Sequence, residues 1–240
     1  MDKTYFFISD IHLGLGSHED EKSKEKLLLK FLRYAEKECD ELFIVGDLFD
    51  HWFEYKYVIQ KGFIRILSAL SEFHDNKKQV HYLIGNHDFL HRDFFETEIN
   101  VVLYKNPIDV NLNGKKFYIG HGDGLVQNDF GYKILKGILR NRFLQKAYSV
   151  VHPDLGIKIA SLTSRTSRDY TTQKKYGAKD GLFETAKIKI DEGYDYIIFG
   201  HSHERAFKNY KNGIYINLGA WLDKPCFGKF INKFEIIDWE

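Results

Sequence analysis

Residues 41–50 read Glu41-Leu42-Phe43-Ile44-Val45-Gly46-Asp47-Leu48-Phe49-Asp50. A short apolar run is stopped by a glycine and a carboxylate, which predicts a buried strand ending in a polar loop. The pattern recurs along the chain. Thr4-Tyr5-Phe6-Phe7-Ile8-Ser9 precedes Asp10-Ile11-His12, and Val80-His81-Tyr82-Leu83-Ile84 precedes Gly85-Asn86-His87-Asp88. Phe117-Tyr118-Ile119 precedes Gly120-His121, and Tyr196-Ile197-Ile198-Phe199 precedes Gly200-His201-Ser202-His203. Between the first three runs lie two helical patterns. Residues 21–37 carry Leu27, Leu28, Phe31, Leu32 and Ala35, and residues 57–74 carry Ile64, Leu67 and Leu70. Residues 214–217 and 230–237 alternate like late strands. Early strand–helix alternation predicts an α/β fold with an at least partly parallel sheet, in which ligands sit beyond the carboxyl ends of the strands.

Taken singly, each strand-end motif is weak. An aspartate after a strand is usually a turn or helix cap, and a solitary histidine is usually a core or surface residue. Together they are a constellation. Five successive strand ends deliver Asp, Asn or His to one side of the sheet if the strands run parallel. Asp10-x-His12 and His201-x-His203 each aim two donors from one loop, and the neighbouring glycines permit sharp turns and close approach. Carboxylates, imidazoles and one amide suit borderline divalent ions such as Mn, Fe or Zn better than Ca or a thiolate site. Two ions about 3.5–4 Å apart would activate a water and clamp a phosphoryl group, with Asp47 the natural bridge.

These five motifs, in this order, resemble the calcineurin-like metallophosphoesterase superfamily over nearly the whole chain. The resemblance implies an α/β fold of two stacked sheets between helices (an α/β/β/α sandwich). It implies one ion held by Asp10, His12, Asp47 and His203 and a second held by Asp47, Asn86, His121 and His201. It also implies in-line attack of an activated water on phosphorus, with His87 beside the leaving group as hydrogen-bond donor or general acid and Asp88 orienting it. A narrower resemblance, to the UDP-2,3-diacylglucosamine pyrophosphatase family, rests on three stretches. They are Gly46-Asp47-Leu48-Phe49-Asp50 with Trp52, His121-Gly122-Asp123-Gly124-Leu125 with Asp129, Gly131 and Tyr132, and Asn217-Leu218-Gly219-Ala220-Trp221. It implies Mn²⁺, a UDP-linked diacylated glucosamine as substrate, and UMP and lipid X as products. It assigns substrate contacts to Asn86, His87, His201, Asp129 and Tyr132, and to the cluster Ser164, Arg165, Ser167 and Arg168. The well-known branch of that family has Gly-Asn-Arg-Asp where this chain has Gly85-Asn86-His87-Asp88; His87 restores the superfamily pattern. Other readings stay open: another superfamily enzyme acting on nucleotides, nucleic acid or phosphoproteins, or a metal-free scaffold of the same fold. The chain keeps every ligand position, which speaks against the scaffold.

The 240 residues predict a single domain, 1–240, with a helical lid inserted at about 127–175. Residues 129–164 read as wholly helical. Lysine and arginine total 35 against 34 acids, a formal net charge of +1. The total conceals an asymmetry. Residues 133–175 hold ten basic and two acidic residues, a net of +8, which leaves −7 for the rest. A basic, apolar-striped lid fits a pyrophosphate substrate and the anionic surface of the cytoplasmic membrane. Near-neutrality overall argues against a nucleic-acid partner, and no obligate protein partner is evident. Two cysteines give no disulfide framework, the opening apolar run is too short for a signal peptide, and no stretch is long enough to span a bilayer. The expected location is cytoplasmic, peripherally associated with the inner membrane. Of the residues flanking the motifs, Trp52 reads as core or rim packing, His51 as lining the site, Asn128 as a turn, and Lys174-Lys175 as solvated.

Overall fold

The computed structural model describes residues 2–125, 137, 141–148, 150–156, 158, 181–221 and 224–240. The first sheet holds β1 (Tyr5–Ile8), β2 (Glu41–Val45), β3 (Gln79–Leu83), β4 (Val102–Tyr104), β10 (Cys226–Phe230) and β11 (Phe234–Asp238), in the order β11-β10-β1-β2-β3-β4. The second holds β5 (Ile108–Leu112), β6 (Lys115–Ile119), β7 (Tyr196–Phe199), β8 (Ala206–Tyr210) and β9 (Gly213–Asn217), in the order β5-β6-β7-β9-β8. The run β1-β2-β3-β4 is parallel, as is β6-β7-β9; hairpin strands close the edges.

The continuous apolar runs are explained by burial on both faces. Side chains alternate along a strand. Phe6, Ile8, Leu42, Ile44 and Tyr82 point to one side, onto Leu28, Phe31 and Leu32 of α1 (His18–Glu38) and Ile66, Leu70 and Phe73 of α2 (Ile64–Asp75). Tyr5, Phe7, Phe43, Val45 and Leu83 point to the other, onto Phe117, Ile119, Tyr196, Ile198 and Ile216 of the second sheet. The outer face of that sheet, with Ile197, Phe199 and Tyr215, is covered by Leu182, Ala186 and Ile190 of a helix at Gly181–Asp191. The layers are therefore α/β/β/α, as expected. Each buried Phe, Leu or Ile contributes about 1.5–3 kcal/mol by its transfer from water, and the aromatic pairs between the sheets add to that. Phe230 of the first sheet meets Phe117 edge to face at 4.8 Å and Tyr196 at 5.3 Å, both of the second.

Some expectations need correction. The second helix starts at Ile64, not at 57, because Gly62 takes φ +109° and Phe63 turns into the core as the N-terminal flank; Ile64, expected in the core stripe with Leu67 and Leu70, is exposed, and Ile66 and Phe73 join those two instead. The segment before it, including the buried Trp52 and Phe53, is a loop tied to residue 90 by a Phe53–Leu90 bridge. The single late strand read at 230–237 is a hairpin: β10 ends at Phe230, and β11 restarts at Phe234. A short helix, α3 (Phe94–Thr97), follows β3. The lid read as wholly helical over 129–164 is not: α4 (Arg142–Tyr148) is a helix, but residues 150–152 after it are not helical. The helix at Gly181–Asp191 is α5. Most of 127–175, with Asn128, Asp129, Tyr132, Ser164, Arg165, Ser167, Arg168 and Lys174-Lys175, lies outside the described residues.

Candidate metal centre

All five ligand-bearing loops leave the carboxyl ends of parallel strands at one edge of the sandwich. β1, β2 and β3 supply Asp10, His12, Asp47 and Asn86 from one sheet; β6 and β7 supply His121, His201 and His203 from the other. The loops after β1 and β2 are zipped together by their backbones: Asp10 N donates to Gly46 O, and both Ile11 N and His12 N donate to Asp47 O, at 3.0–3.1 Å. Gly200 N donates to His121 O at 2.9 Å, which does the same for β6 and β7.

The backbone is unusual where the donors sit. Asp10, His12, Asp47, His201 and His203 all have φ between +49° and +68°. Left-handed conformations cost a non-glycine residue on the order of 1–3 kcal/mol each, and persist only where the surroundings impose them. Here they fold each loop back sharply, so that two donors from one loop face inward. The glycines make room for them. A Cβ on Gly200 would stand 2.5 Å from Asp10 Oδ2, and one on Gly85 would stand 2.6 Å from Asp47 N.

The donors converge. His12 Nε2 and His203 Nε2 face each other at 3.1 Å, with Asp10 Oδ1 3.6 Å from the latter. Asp47 Oδ2 lies 3.2 Å from His121 Nε2 and 3.7 Å from His12 Nε2. Asn86 Oδ1 stands 2.9 Å from His121 Nε2 and 2.8 Å from His201 Nδ1. Three donor groups form among the described residues, each with its atoms within 4.8 Å of one another: Asp10-His12-His203, Asp10-Asp47-His121 and His12-Asp47-His87. His201 joins through Asn86 and through its own N–H, which donates to Asp10 Oδ1 at 3.0 Å. The sequence-predicted ligands are therefore gathered in one place, and His87 stands among them.

A cation fits this arrangement on two counts. Asp10 Oδ2 and His12 Nδ1 are buried with no hydrogen-bond partner, whereas buried polar atoms ordinarily have one. The cluster also holds two carboxylates away from water with their charges unresolved. Burial pushes the Asp10 carboxyl up. Burial works the same way on Asp47, but the charge and hydrogen bond of His121 outweigh it and hold that carboxyl well below the usual range. Burial would lower His121; Asp47 beside it wins, and the ring is pushed up to about 10. His12 is driven well below its ordinary value by burial, and His201 to about 4 by burial and by His121. His12 and His201 are thus held as neutral rings, the state in which an imidazole binds a metal, while the His121 ring beside Asp47 supplies the positive charge that a cation would replace.

Around the donors sits a supporting ring of contacts. His121 Nδ1 donates to Val45 O at 3.0 Å, which fixes Nε2 toward the cluster. Asn217 Nδ2 donates to Gly200 O at 2.7 Å and to Ser202 Oγ at 3.0 Å, which holds the His201-x-His203 turn. Lys24 of α1 donates to His12 O at 2.8 Å, and Glu21 accepts from Gly16 N at 2.7 Å and from Gly14 N. The expected partner of His87 was Asp88, and the structure corrects this. Asp88 accepts from Gly85 N at 2.8 Å, Leu48 N at 2.9 Å and the Tyr82 hydroxyl, so it staples the β2 and β3 loops together. The group beside the His87 ring is Asp50: His87 Nδ1 donates to Asp50 O at 3.1 Å and lies 3.6 Å from Asp50 Oδ1. Asp50 also stands 3.8 Å from His12 Nδ1 and 3.9 Å from His51 Nδ1. Its sequence signal was the second acid of Gly46-Asp47-Leu48-Phe49-Asp50. Trp52 is core, as read, and His51 is buried next to Asp50.

A parallel-strand edge that presents buried carboxylates, imidazoles and an amide to one point is the site of a metal-dependent hydrolase. The chain belongs to the calcineurin-like phosphoesterase family, whose profile matches residues 3–205. Among curated proteins it is similar to the UDP-2,3-diacylglucosamine hydrolase of Porphyromonas gingivalis, with 30% identity over 92% of each chain. It is likewise 28% identical to that of Nitrosococcus oceani, over 85% of this chain and 80% of the other, and 29% identical to that of Photorhabdus laumondii, over 95% of each. Among the described residues, no helix is long and apolar enough to cross a membrane.

Proposed function

We propose that the chain hydrolyses the pyrophosphate of UDP-2,3-diacylglucosamine to UMP and 2,3-diacylglucosamine 1-phosphate (lipid X), using two divalent ions, natively Mn²⁺. The observation that carries the reading is the convergence of Asp10, His12, Asp47, Asn86, His121, His201 and His203 on one point, in a chain that matches three such hydrolases over at least 80% of their length. Asp10, His12, Asp47 and His203 would hold one ion, and Asp47, Asn86, His121 and His201 the other. When bound, such ions neutralise phosphoryl charge and supply a nucleophilic water at neutral pH.

The chain's own groups do the rest. The Asp50 main-chain carbonyl accepts the hydrogen bond of His87 Nδ1, so the ring presents Nε2 to the leaving phosphate as donor. The His87 N–H donates to Asp47 Oδ1 at 2.9 Å and couples the donor's position to the bridging carboxylate. The lid at about 127–175, with Asp129, Tyr132, Ser164, Arg165 and Arg168, would take the sugar, phosphates and acyl chains. An acylated substrate also makes the cytoplasmic membrane surface the working location.

The test is incubation of the purified protein with UDP-2,3-diacylglucosamine and Mn²⁺, assayed for UMP and lipid X. Both products should appear in equal amounts, and chelation should abolish them. Cleavage of simple aryl phosphodiesters alone would overturn the substrate. His87→Ala should lower turnover by about 10²–10⁴-fold at unchanged metal content; unchanged turnover would remove the role given to His87.

A further inference from the structure

Nine large apolar side chains are exposed among the described residues, and six of them lie in two short segments. Tyr57 (85% exposed), Val58 and Ile64 (78%) belong to the loop after β2 and the start of α2; Phe143 (79%), Val150 and Leu155 belong to α4 and the residues after it. The two segments touch. The Phe53 and Tyr148 rings meet edge to face at 4.9 Å, and Tyr55 packs on Gly156. The loop is also tied to the metal centre: Gln60 Nε2 donates to His51 Nε2 at 3.0 Å, and His51 adjoins Asp50, which holds His87. Its own charges have one sign: Lys56, Lys61 and Arg65 are exposed, and no acid occurs between Glu54 and Glu72, although Glu25 of α1 stands 3.6 Å from Arg65.

We propose that the 56–65 loop is a docking surface for an anionic phospholipid bilayer, seated beside the mouth of the metal centre. Three features select this occupant. Exposed tyrosine, valine and isoleucine ringed by lysine and arginine match the acyl–headgroup boundary of an anionic leaflet, where each cation contributes about 1 kcal/mol. The Lys56 ammonium lies 4.8 Å over the Tyr57 ring, a pairing that keeps the charge at headgroup level while the ring goes deeper. The loop adjoins the catalytic edge through His51, so docking brings the site to the plane in which an acylated substrate sits. The inference rests on the acylated-substrate reading and gives it a surface; catalysis does not pass through these side chains.

The test is co-sedimentation of the whole protein with vesicles of pure phosphatidylcholine and of phosphatidylcholine with 30% phosphatidylglycerol. The wild type should bind the anionic vesicles and lose binding at high salt. Two variants separate the contributions: Tyr57→Ser/Val58→Ser/Ile64→Ser, and Lys56→Gln/Lys61→Gln/Arg65→Gln. Each should weaken binding at least about 30-fold, while hydrolysis of detergent-dispersed UDP-2,3-diacylglucosamine stays within about twofold, since the substitutions are exposed. Vesicle binding by both variants equal to the wild type overturns the proposal. So does a wild type that ignores anionic vesicles, or a patch that only joins two copies of the chain, read as loss of a dimer in light scattering. If vesicles bind as expected but the substrate is not hydrolysed, the surface stands and the substrate reading fails.

Discussion

Gly85→Ala tests whether the Asp47 carboxylate is held by close packing. Gly85 is the glycine of the third strand-end motif, and its added Cβ would stand 2.6 Å from Asp47 N and 2.8 Å from Asp47 Cγ, in overlap with Oδ1. Ordinary carbon contacts lie near 3.5 Å, and the overlap with Oδ1 is the deepest, so one of the two loops must move by about 1 Å or more. Neither loop can yield at a flexible tip. Asp47 O accepts from Ile11 N and His12 N, Asp47 Oδ1 accepts from His87 N, and Gly85 N is bound by Asp88. Overpacking of this kind costs about 1–3 kcal/mol of stability, which a domain with about 5–15 kcal/mol in hand survives. The catalytic cost is larger, because a displacement of about 1 Å in a reacting constellation lowers rate by about 10²-fold. The expected outcome is therefore a folded protein with a melting temperature lowered by a few degrees. It should carry less tightly bound metal, as measured by inductively coupled plasma mass spectrometry after dialysis. Its turnover of an aryl phosphodiester should fall by about two orders of magnitude, incompletely rescued by excess Mn²⁺. Wild-type metal content together with turnover within threefold of the wild type would refute the claim that Asp47 is placed by this contact.

Two further predictions concern the frame. Glu54 is buried and accepts from Arg92 N, Asp93 N and Phe94 N at 2.7–3.2 Å and from Trp52 Nε1 at 2.8 Å, so Glu54→Gln should cost about 2–3 kcal/mol, or about 4–10 °C of melting temperature; a change under 1 °C would remove its anchoring role. Glu41 is held down to about 2, chiefly by the His81 ring 2.9 Å away and then by Lys3, so its stabilisation is fully present above about pH 4.5 and is lost as pH falls toward 2. Glu41 is about half-buried, and solvent screening reduces the effect to about 1–2 kcal/mol. Urea titrations of wild type and Glu41→Gln should differ by that amount at pH 6 and converge near pH 2–3; a constant gap would show that the pair is not the cause.

The strand-end residues were legible in sequence because chemistry and pattern coincide there. An apolar run buried on both faces needs no polar alternation, and the first polar residues after it must face the edge. The edge strands were less legible. In β8 only alternate residues of Ala206–Tyr210 are covered, and β4 is three residues long, so neither makes a run. The start of α2 was misplaced because the stripe of Ile64, Leu67 and Leu70 was carried back to residue 57 across Gly62, which breaks the helix. The partner of His87 was misassigned for a different reason. Adjacency suggested Asp88, but a tight Gly85–Asp88 turn closes that carboxylate onto Gly85 N, Leu48 N and Tyr82, and the carboxylate near the His87 ring comes from a different loop, 37 residues upstream of it. The roles of Glu21, Lys24 and Asn217 likewise belong to tertiary proximity, which spacing in one chain does not encode.

The centre straddles a joint. Its donors are shared between two sheets that are hydrogen-bonded within themselves and meet face to face through rings such as Phe7 and Phe117, 6.2 Å apart and nearly parallel. Asp10, His12, Asp47 and Asn86 move with one leaf, and His121, His201 and His203 with the other. The spacing between the two sets is thus a mechanical gauge of how the leaves are seated. Two hydrogen bonds cross between the leaves at the donors, from His121 Nδ1 to Val45 O and from His201 N to Asp10 Oδ1, and carry that seating directly to the centre. Evolution can therefore retune the centre from the seam, by exchanging one ring for another below it, without touching a single donor.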